Sequence, residues 1–325
     1  MAAPLYMSSR SGCKLYQANC NGLTELSDSS MHALVTDPPY GIGYQAHQWD
    51  QSLPDPQIWE DCFRVLKPGA HGLIFSSVRF MHRLMVQLED SGFMIKDVLM
   101  WAYLNGMPKT KDVGLAIDKI LKIPSKPVGT YKYIQGYKKG GANHYYARQA
   151  KKRYTAASEE GMQYSGWGNG VKPCYEPVVL IRKPREQGLS VAENVLLHGT
   201  GAINLEETRL PLDNHETGVG HNPHPAGRVS GNILRTDALG DDYDKFFLIP
   251  KVRQHADSYN HHPTKKPVEL MQHLVKLVSA EGHTVLDPFM GSGSTGIACR
   301  QLNRKFIGYE KDPGYFKIAC RRIDG

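Results

Sequence analysis

Two short apolar runs in this chain each end in an Asp-Pro loop, 250 positions apart, and that pair narrows the possible folds most. The first run, Ala33-Leu34-Val35-Thr36, enters Asp37-Pro38-Pro39-Tyr40. The second, Thr284-Val285-Leu286, enters Asp287-Pro288-Phe289-Met290-Gly291-Ser292-Gly293-Ser294. A residue before proline is pushed out of the α region, so each run reads as a buried strand stopping at its loop. Open α/β sheets bind ligands at such strand ends, and small residues let a ligand approach the backbone there.

The rest of the chain follows the same rhythm. Trp59 to Leu66 has helical apolar spacing and is stopped by Lys67-Pro68-Gly69. Gly72 to Ser76 reads as a strand, Phe80 to Leu88 as a helix, and Ile95 to Tyr103 as a strand. A further strand covers Val178 to Ile181, between Pro177 and Pro184. An amphipathic helix is predicted over 264–280, beginning at a Thr264 cap, and then strand 284–286, helix 295–302, strand 305–309 and helix 313–323. Alternating strands and helices predict an α/β fold, a parallel sheet with helices on both faces. Residues 108–170 and 185–257 lack this periodicity and read as insertions. The resulting division is 1–107, a first half of the core; 108–170, a basic insertion; 171–184, a core strand; 185–257, a second insertion; and 258–325, a second half of the core.

At 325 residues, 41% apolar and 22% charged, the composition is that of a soluble globular protein. No apolar run approaches a membrane span and the first residues show no signal-peptide core, so a cytoplasmic protein is expected. Six dispersed cysteines predict reduced thiols rather than a disulfide framework. His215, His221, His224, His255, His261 and His262 have no Cys or acid at ligand spacing, and no metal is expected. The net charge of +7 is uneven: 119–153 holds ten Lys or Arg and no acid, leaving −3 for the remainder. Tyr131, Tyr133, Tyr137, Tyr145 and Tyr146 are interleaved there, a composition suited to a polyanion whose bases can be stacked.

The second loop reads as a nucleoside-cofactor site. Glu310 ends the next strand 23 positions after Asp287, where an acid can accept from both ribose hydroxyls. A phosphate loop would need Gly-Lys-Ser/Thr, which is absent. Thr264 and Lys266, before the helix ahead of this unit, are donors that can receive a cofactor carboxylate. The first loop suits chemistry on an exocyclic amino group, whose lone pair is delocalised into its ring. The Asp37 carboxylate and the Pro38 carbonyl can accept its hydrogens and draw it towards a tetrahedral geometry; Pro38 and Pro39 fix the direction. Tyr40 offers a stacking face to a base and a π face to a sulfonium.

With these motifs the chain resembles the amino-methylating DNA methyltransferases, specifically their permuted β group. The resemblance runs through Thr36 to Gly41, Arg64 to Gly69, Trp167-Gly168 to Lys172-Pro173, Glu176-Pro177, His262-Pro263-Thr264 and the Asp287 loop. Gly199 to Asn204 looks like enzymes common in phages and prophages. It implies a Rossmann-like, circularly permuted S-adenosylmethionine-dependent methyltransferase sheet with an inserted target-recognition region. It puts catalysis on Asp37, Pro38, Pro39 and Tyr40, and S-adenosylmethionine on Asp287, Phe289, Gly291, Gly293, Ser294, Glu310, Thr264 and Lys266. Asp at the first catalytic position is similar to adenine-specific members, so the implied reaction is N6 methylation of adenine in duplex DNA, by base flipping. The alternative is cytosine N4, and a non-catalytic DNA-binding regulator is a third reading.

Two positions depart from the family pattern. Ala18-Asn19-Cys20 replaces a usual Gly-Asp, and Asn19 can still donate and accept at an adenine edge. Tyr175-Glu176-Pro177 replaces His-Glu-Pro; Tyr175 either stacks near the flipped base or is buried in the sheet. Double-stranded DNA is the implied partner, with Lys138, Lys139, Lys151, Lys152 and Arg153 holding phosphates. Members of the group are often homodimers, which suits a palindromic target. Core and insertions use up the chain, so a restriction endonuclease would be a separate polypeptide.

Overall fold

The computed structural model describes residues 5–7, 12–20, 22–44, 48–103, 111–133, 136–139, 142–145, 149–171, 173–209, 227, 229–235, 247–248, 259–260, 262 and 264–325; of these, 5–7, 131–133, 136–139, 142–145, 149–150, 235 and 247–248 are described by backbone alone. In chain order the elements are β1 (Leu5–Met7), β2 (Cys13–Tyr16), β3 (Met31–Thr36), α1 (Gln57–Val65), β4 (Leu66–Phe75), α2 (Met81–Asp90) and β5 (Met94–Ala102). Next come α3 (Val113–Leu121), β6 (Lys126–Tyr133), β7 (Gly136–Lys139), β8 (Ala142–Tyr145), β9 (Gln149–Thr155) and α4 (Glu159–Gln163). The chain closes with β10 (Tyr175–Arg182), α5 (Val191–His198), β11 (Ile233–Arg235), β12 (Phe247–Leu248), α6 (Val268–Val278), β13 (Thr284–Asp287), α7 (Ser294–Gln301), β14 (Lys305–Tyr309) and α8 (Pro313–Asp324).

Residues 1–103 and 175–325 form one compact unit and 104–174 another. The first unit carries a ten-stranded sheet in the order β1-β2-β14-β13-β3-β4-β10-β5-β11-β12. Its strands bury both faces by simple alternation. Ala33, Val35, Leu73, Phe75, Val178, Leu180, Val285 and Phe306 pack with α6, α7 and α8. Leu34, Ile74, Val179, Ile181, Leu286 and Ile307 pack on the other side, with α1 and α2. Helices therefore cover both faces, as the sequence predicts.

The sheet is not wholly parallel. β10 runs antiparallel between β4 and β5, and β1 runs antiparallel to β2. The cause is geometric: Tyr175, which opens β10, pairs with Ala102, which closes β5. The chain thus re-enters at the end of the sheet where it left and must run back. This strand also passes through Pro177, whereas the sequence reading begins it after that residue; the Pro177 carbonyl accepts from the Ser76 N–H at 3.0 Å.

Two further expectations are corrected. The helix expected from 264 begins at Val268, because Pro267 bars Lys266 from the α region; Thr264 lies in a turn, and Pro267 takes the N-cap position. Within the supposed irregular stretch 185–257, α5 is a full helix. Ser190 and Glu193 form a reciprocal capping box and Gly199 closes it in the left-handed conformation. Asn194, fully buried, donates to the Pro68 and Thr200 carbonyls at 3.0 and 2.7 Å.

The second unit joins β6 to β9 and β7 to β8 as antiparallel pairs. Asp118 on α3 accepts from Ala157 N, Ser158 N and Ser158 Oγ at 2.8, 3.1 and 2.6 Å, which fastens the start of α4. Among the described residues no helix is long and apolar enough to cross a membrane, and Cys20, Cys62, Cys299 and Cys320 are free thiols.

Candidate active site

Strands β2, β14, β13, β3 and β4 are mutually parallel, so their carboxyl ends share one edge of the sheet. Antiparallel β10 brings its amino end to the same edge. Residues far apart in sequence meet there: Asn19 after β2, Glu310 after β14, Asp287 at the end of β13, Asp37 after β3, and Glu176 at the start of β10.

A cleft of about 200 Å³ opens at this edge, and both Asp-Pro loops line it. Of the residues singled out from sequence, Asn19, Asp37, Pro39, Thr264, Lys266, Asp287, Phe289, Gly291, Ser294 and Glu310 border it. Gly293 lies behind as the left-handed N-cap of α7. A Cβ there would meet the Ala319 side chain at 3.1 Å and the Ile323 side chain at 3.0 Å. At Gly291, with φ of +52°, a Cβ would come within 3.0 Å of His262 Nε2. Both positions need glycine, and the turn stays flat against the cleft.

Asp287 is a buried staple. Its Oδ1 accepts from Thr36 Oγ1 at 2.7 Å and from the Phe289 N–H at 3.1 Å; its Oδ2 accepts from Thr295 Oγ1 at 2.6 Å. Burial pushes its carboxyl up to about 7, against those stabilising hydrogen bonds. Glu310 Oε1 accepts from the Asp312 N–H at 2.7 Å, and burial raises its carboxyl above the usual range.

The chemistry loop is built around Asp37. Tyr40 Oη donates to Asp37 Oδ1 at 2.6 Å, and Lys266 Nζ donates to Oδ2 at 2.6 Å. Tyr40 Oη also lies 3.3 Å from Glu176 Oε2. Burial raises the Asp37 carboxyl, with Lys266 and Tyr40 pulling it back down. Burial also drives the Tyr40 phenol well above its ordinary range, and the Asp37 and Glu176 charges add to it. The turn after Tyr40 is held by Asp50, 2% exposed, whose carboxylate accepts from the N–H groups of Tyr40, Gly41 and Tyr44 at 2.7, 3.0 and 2.8 Å.

Lys266, expected from sequence among the cofactor ligands, borders the cleft, and its ammonium meets the protein's own acids. Its ammonium lies 2.6 Å from Asp37, 3.2 Å from Tyr40 Oη and 3.3 Å from Glu176, with the Phe75 ring 4.7 Å away. An ammonium has three N–H donors, and these three acceptors take them all. Burial opposes its charge, but Asp37 and Glu176 outweigh that and hold the lysine above its ordinary value. Glu176 and Asp50 are the participants that sequence alone misses. Glu176 sits beside Tyr175 in the Tyr-Glu-Pro stretch, and only the antiparallel return of β10 reveals its reach.

Tyr175 is half-buried at the start of β10, opposite Ala102, and is not among the residues bordering the cleft. Lys151, Lys152 and Arg153 are exposed on β9. Lys138 and Lys139 are paired in β7 by backbone, and their side chains fall outside the described residues, as do His215, His221, His224, His255 and His261.

The cleft fits an adenosyl cofactor. Pro288, Phe289, Met290, Tyr309 and Tyr315 give apolar walls, Glu310 stands at one end, and the glycine turn lets a ligand lie on the backbone. Thr264, Lys265 and Lys311 also border the cleft, and Lys265 donates to the Asn260 carbonyl at 3.1 Å.

The profile of the DNA methylase family matches residues 31–321. Type II methyltransferase M.HindIII of Haemophilus influenzae is 27% identical, over 93% of this chain and 91% of its own length. DNA adenine methyltransferase YhdJ of Escherichia coli is 25% identical, over 93% of this chain and 79% of its own. Among solved structures, PvuII DNA methyltransferase (cytosine-N4-specific) is 12% identical, covering 98% of this chain and 90% of its own with a TM-score of 0.53. M1.HpyAVI is 19% identical, covering 96% and 98% with a TM-score of 0.50. These structural likenesses establish the shared fold.

Proposed function

This chain belongs to the DNA methylase family, and on that premise we propose that it methylates the N6 amino group of adenine at a specific site in duplex DNA. It is an S-adenosylmethionine-dependent DNA methyltransferase. The observation that carries the reading is the sharing of one cleft by Asp37 and the Gly291 turn, which sets an amino-group acceptor beside a nucleoside-sized groove. An adenine-directed relative, YhdJ, aligns over nearly the whole chain.

When bound, S-adenosylmethionine supplies an electrophilic methyl group on a sulfonium. Phe289 and the glycine turn would hold its adenosyl part, Glu310 would accept from its ribose, and Thr264 with Lys265 would receive its carboxylate. Each Asp37 oxygen accepts one hydrogen bond here and has a second lone pair, so the carboxylate can take an amino hydrogen without giving up Tyr40 or Lys266. The Pro38 carbonyl takes the other hydrogen. Localising the nitrogen lone pair in this way is positioning and electrostatics, with no covalent enzyme intermediate. The Tyr40 ring provides a stacking face. Asn19, on the rim, donates to and accepts from the base edge. The base must leave the duplex to reach this edge of the sheet.

The order of the loops, chemistry loop first, fits the permuted arrangement. The unit of residues 104–174 supplies cations for phosphates, and two copies on a palindromic site would match its two-fold symmetry. Such an enzyme works in the cytoplasm of a bacterium or a phage-infected cell.

The test is direct. Duplex DNA is incubated with methyl-labelled S-adenosylmethionine and the protein, digested, and its nucleosides separated. N6-methyladenine is expected, and it is lost with Asp37→Ala. N4-methylcytosine alone would overturn the adenine assignment, and no labelled nucleoside would favour a non-catalytic DNA-binding role.

A further inference from the structure

We infer that Lys266 and Glu176 are positioning residues for the amino-group acceptor: Lys266 bridges the carboxylates of Asp37 and Glu176 and keeps Asp37 ionised and aimed. The inference rests on the methyltransferase reading for its purpose, and on the geometry of three side chains for its content.

Lys266 is 7% exposed and lies between two carboxylate groups, at 2.6 Å from Asp37 and 3.3 Å from Glu176. The charged groups facing Asp37 are Lys266 from the turn before α6, Glu176 from β10, and Asp287 from β13; Tyr40 adds its hydroxyl. A carboxylate so enclosed is short of solvent, and burial favours its neutral acid. The acid form would have one oxygen occupied by a proton and would compete with the amino group as a donor. Lys266 prevents this by direct contact. Glu176 has the opposite electrostatic effect on Asp37, because it is a like charge. Its use is to anchor the lysine. With only Asp37 to bind, the ammonium could swing towards a cofactor carboxylate in the same cleft; with Glu176 and the Phe75 ring also engaged, it stays. Two acids and one base leave a net negative charge facing an amino nitrogen that becomes positive as it gains a methyl group. That charge arrangement favours the transition state over the neutral ground state.

The two residues make opposite predictions, which separates this arrangement from a generic structural role. In the cofactor-free protein, the titration of Asp37 is followed by carboxyl ¹³C NMR. Lys266→Met should raise the apparent Asp37 titration by about one to three pH units, and Glu176→Gln should lower it, by the effect of removing an opposite or a like charge at this range. The acid limb of the single-turnover methyl-transfer rate should move upward in Lys266→Met, as its Asp37 titration does. The Lys266→Met rate at neutral pH should fall about 100-fold, a drop within the span assigned to a lost preorganised electrostatic contact, with partial rescue by Lys266→Arg. S-adenosylmethionine affinity, measured by calorimetry, should change less than about threefold in Lys266→Met, since removing a group that does not touch the ligand leaves its binding free energy nearly intact. A loss of about tenfold or more with an unshifted Asp37 titration would make Lys266 a cofactor ligand and overturn the proposal. Titrations that move the same way in both variants would also overturn it. Should Lys266→Met fail to fold, the downward shift in Glu176→Gln and its absence decide the matter alone. Should the wild type transfer no methyl group, the functional reading fails while the NMR arms still judge the triad.

Discussion

Thr36 donates a hydrogen bond of 2.7 Å to Asp287 across 251 residues of sequence. Thr36 is the last residue of β3 and leads directly into Asp37, while Asp287 closes β13 and leads into the glycine turn. The hydroxyl therefore ties the strand that carries the chemistry to the strand that carries the cofactor turn. With Thr295 on its other oxygen, the Asp287 carboxylate fixes the separation of the two loops.

Replacing Thr36 by valine keeps the shape and removes that donor. A buried acceptor left short of a partner costs about 1–3 kcal/mol. Urea unfolding of Thr36→Val should show that loss, and Thr36→Ser, which keeps the hydroxyl, should recover most of it. Equal stability of all three proteins would mean that Asp287 does not depend on this bond.

Asp287 also makes stability depend on pH. Its carboxyl titrates near 7 in the folded protein, raised by burial, against an ordinary value of 3.8. The folded state then binds this proton more tightly than the unfolded chain does. The stabilisation it contributes is fully present below the unfolded value and is lost as pH rises through about 7. Asp287→Asn should remove that slope: between about pH 4 and 7, its unfolding free energy should fall less with pH than the wild type's. Parallel curves for the two proteins would show that Asp287 does not titrate in this window.

The frame of the site is legible in sequence because both loops sit at the ends of short apolar runs, and each loop carries its chemistry in adjacent residues. Asp37 and Gly291 border the cleft for reasons visible in Thr36-Asp37-Pro38 and Gly291-Ser292-Gly293. What sequence does not carry is partnership across the sheet. Glu176 is 136 positions from Tyr40 and reaches it because β10 runs antiparallel, a direction set by the return of the chain at Ala102. Lys266 differs in kind. Its place before a helix suggests a donor for a ligand carboxylate, but Pro267 delays the helix and the side chain is spent on protein acids. Helix α5 is readable through Ser190 and Glu193, a capping box hidden in a segment without strong apolar periodicity.

Alongside Asp61, which accepts from the Gly22 N–H at 2.9 Å, Arg64 supports the loop that follows Asn19. Its guanidinium donates to the carbonyls of Gly22, Leu23 and Leu26 at 3.1, 3.0 and 3.0 Å and meets Asp28 at 2.6 Å. The Asp28 pair is exposed and contributes little; the bonds to the three carbonyls stabilise the loop more. Arg64→Met should destabilise by about 2–3 kcal/mol, in the range of charge-assisted hydrogen bonds, while Asp28→Asn should cost under about 1 kcal/mol. Thermal or urea unfolding checks both, and a larger effect from Asp28→Asn would reverse the ranking.

On β9, Lys151 pairs with Tyr131 and Arg153 with Gly129, while Lys152 falls between them opposite Thr130. Strand alternation puts Lys151 and Arg153 on one face and Lys152 on the other. One phosphate backbone can meet the first two together. Replacing Lys151 and Arg153 with alanine should weaken DNA binding equally for all sequences and reduce the salt slope by about two, one per lost phosphate contact. Lys152→Ala alone should leave the slope within about half a unit by the same counting. A slope unchanged in the double variant would remove this strand from the DNA interface.

Glu310 gives the most direct reading of the cofactor cleft. One of its oxygens caps the Asp312 N–H at 2.7 Å, and burial lifts its carboxyl above the ordinary range. If its charged form accepts from the ribose, Glu310→Gln should weaken S-adenosylmethionine by about tenfold, or 1.4 kcal/mol, the worth of one charge-assisted bond made neutral. Wild-type affinity should also fall as pH drops through the raised Glu310 value, because protonation removes an acceptor; Glu310→Gln should lack that acid limb. Calorimetric titration of the DNA-free protein over a series from acid to neutral pH separates the two behaviours. An affinity that is flat with pH in the wild type, together with an unaltered Kd in Glu310→Gln, would confine Glu310 to capping the turn before α8.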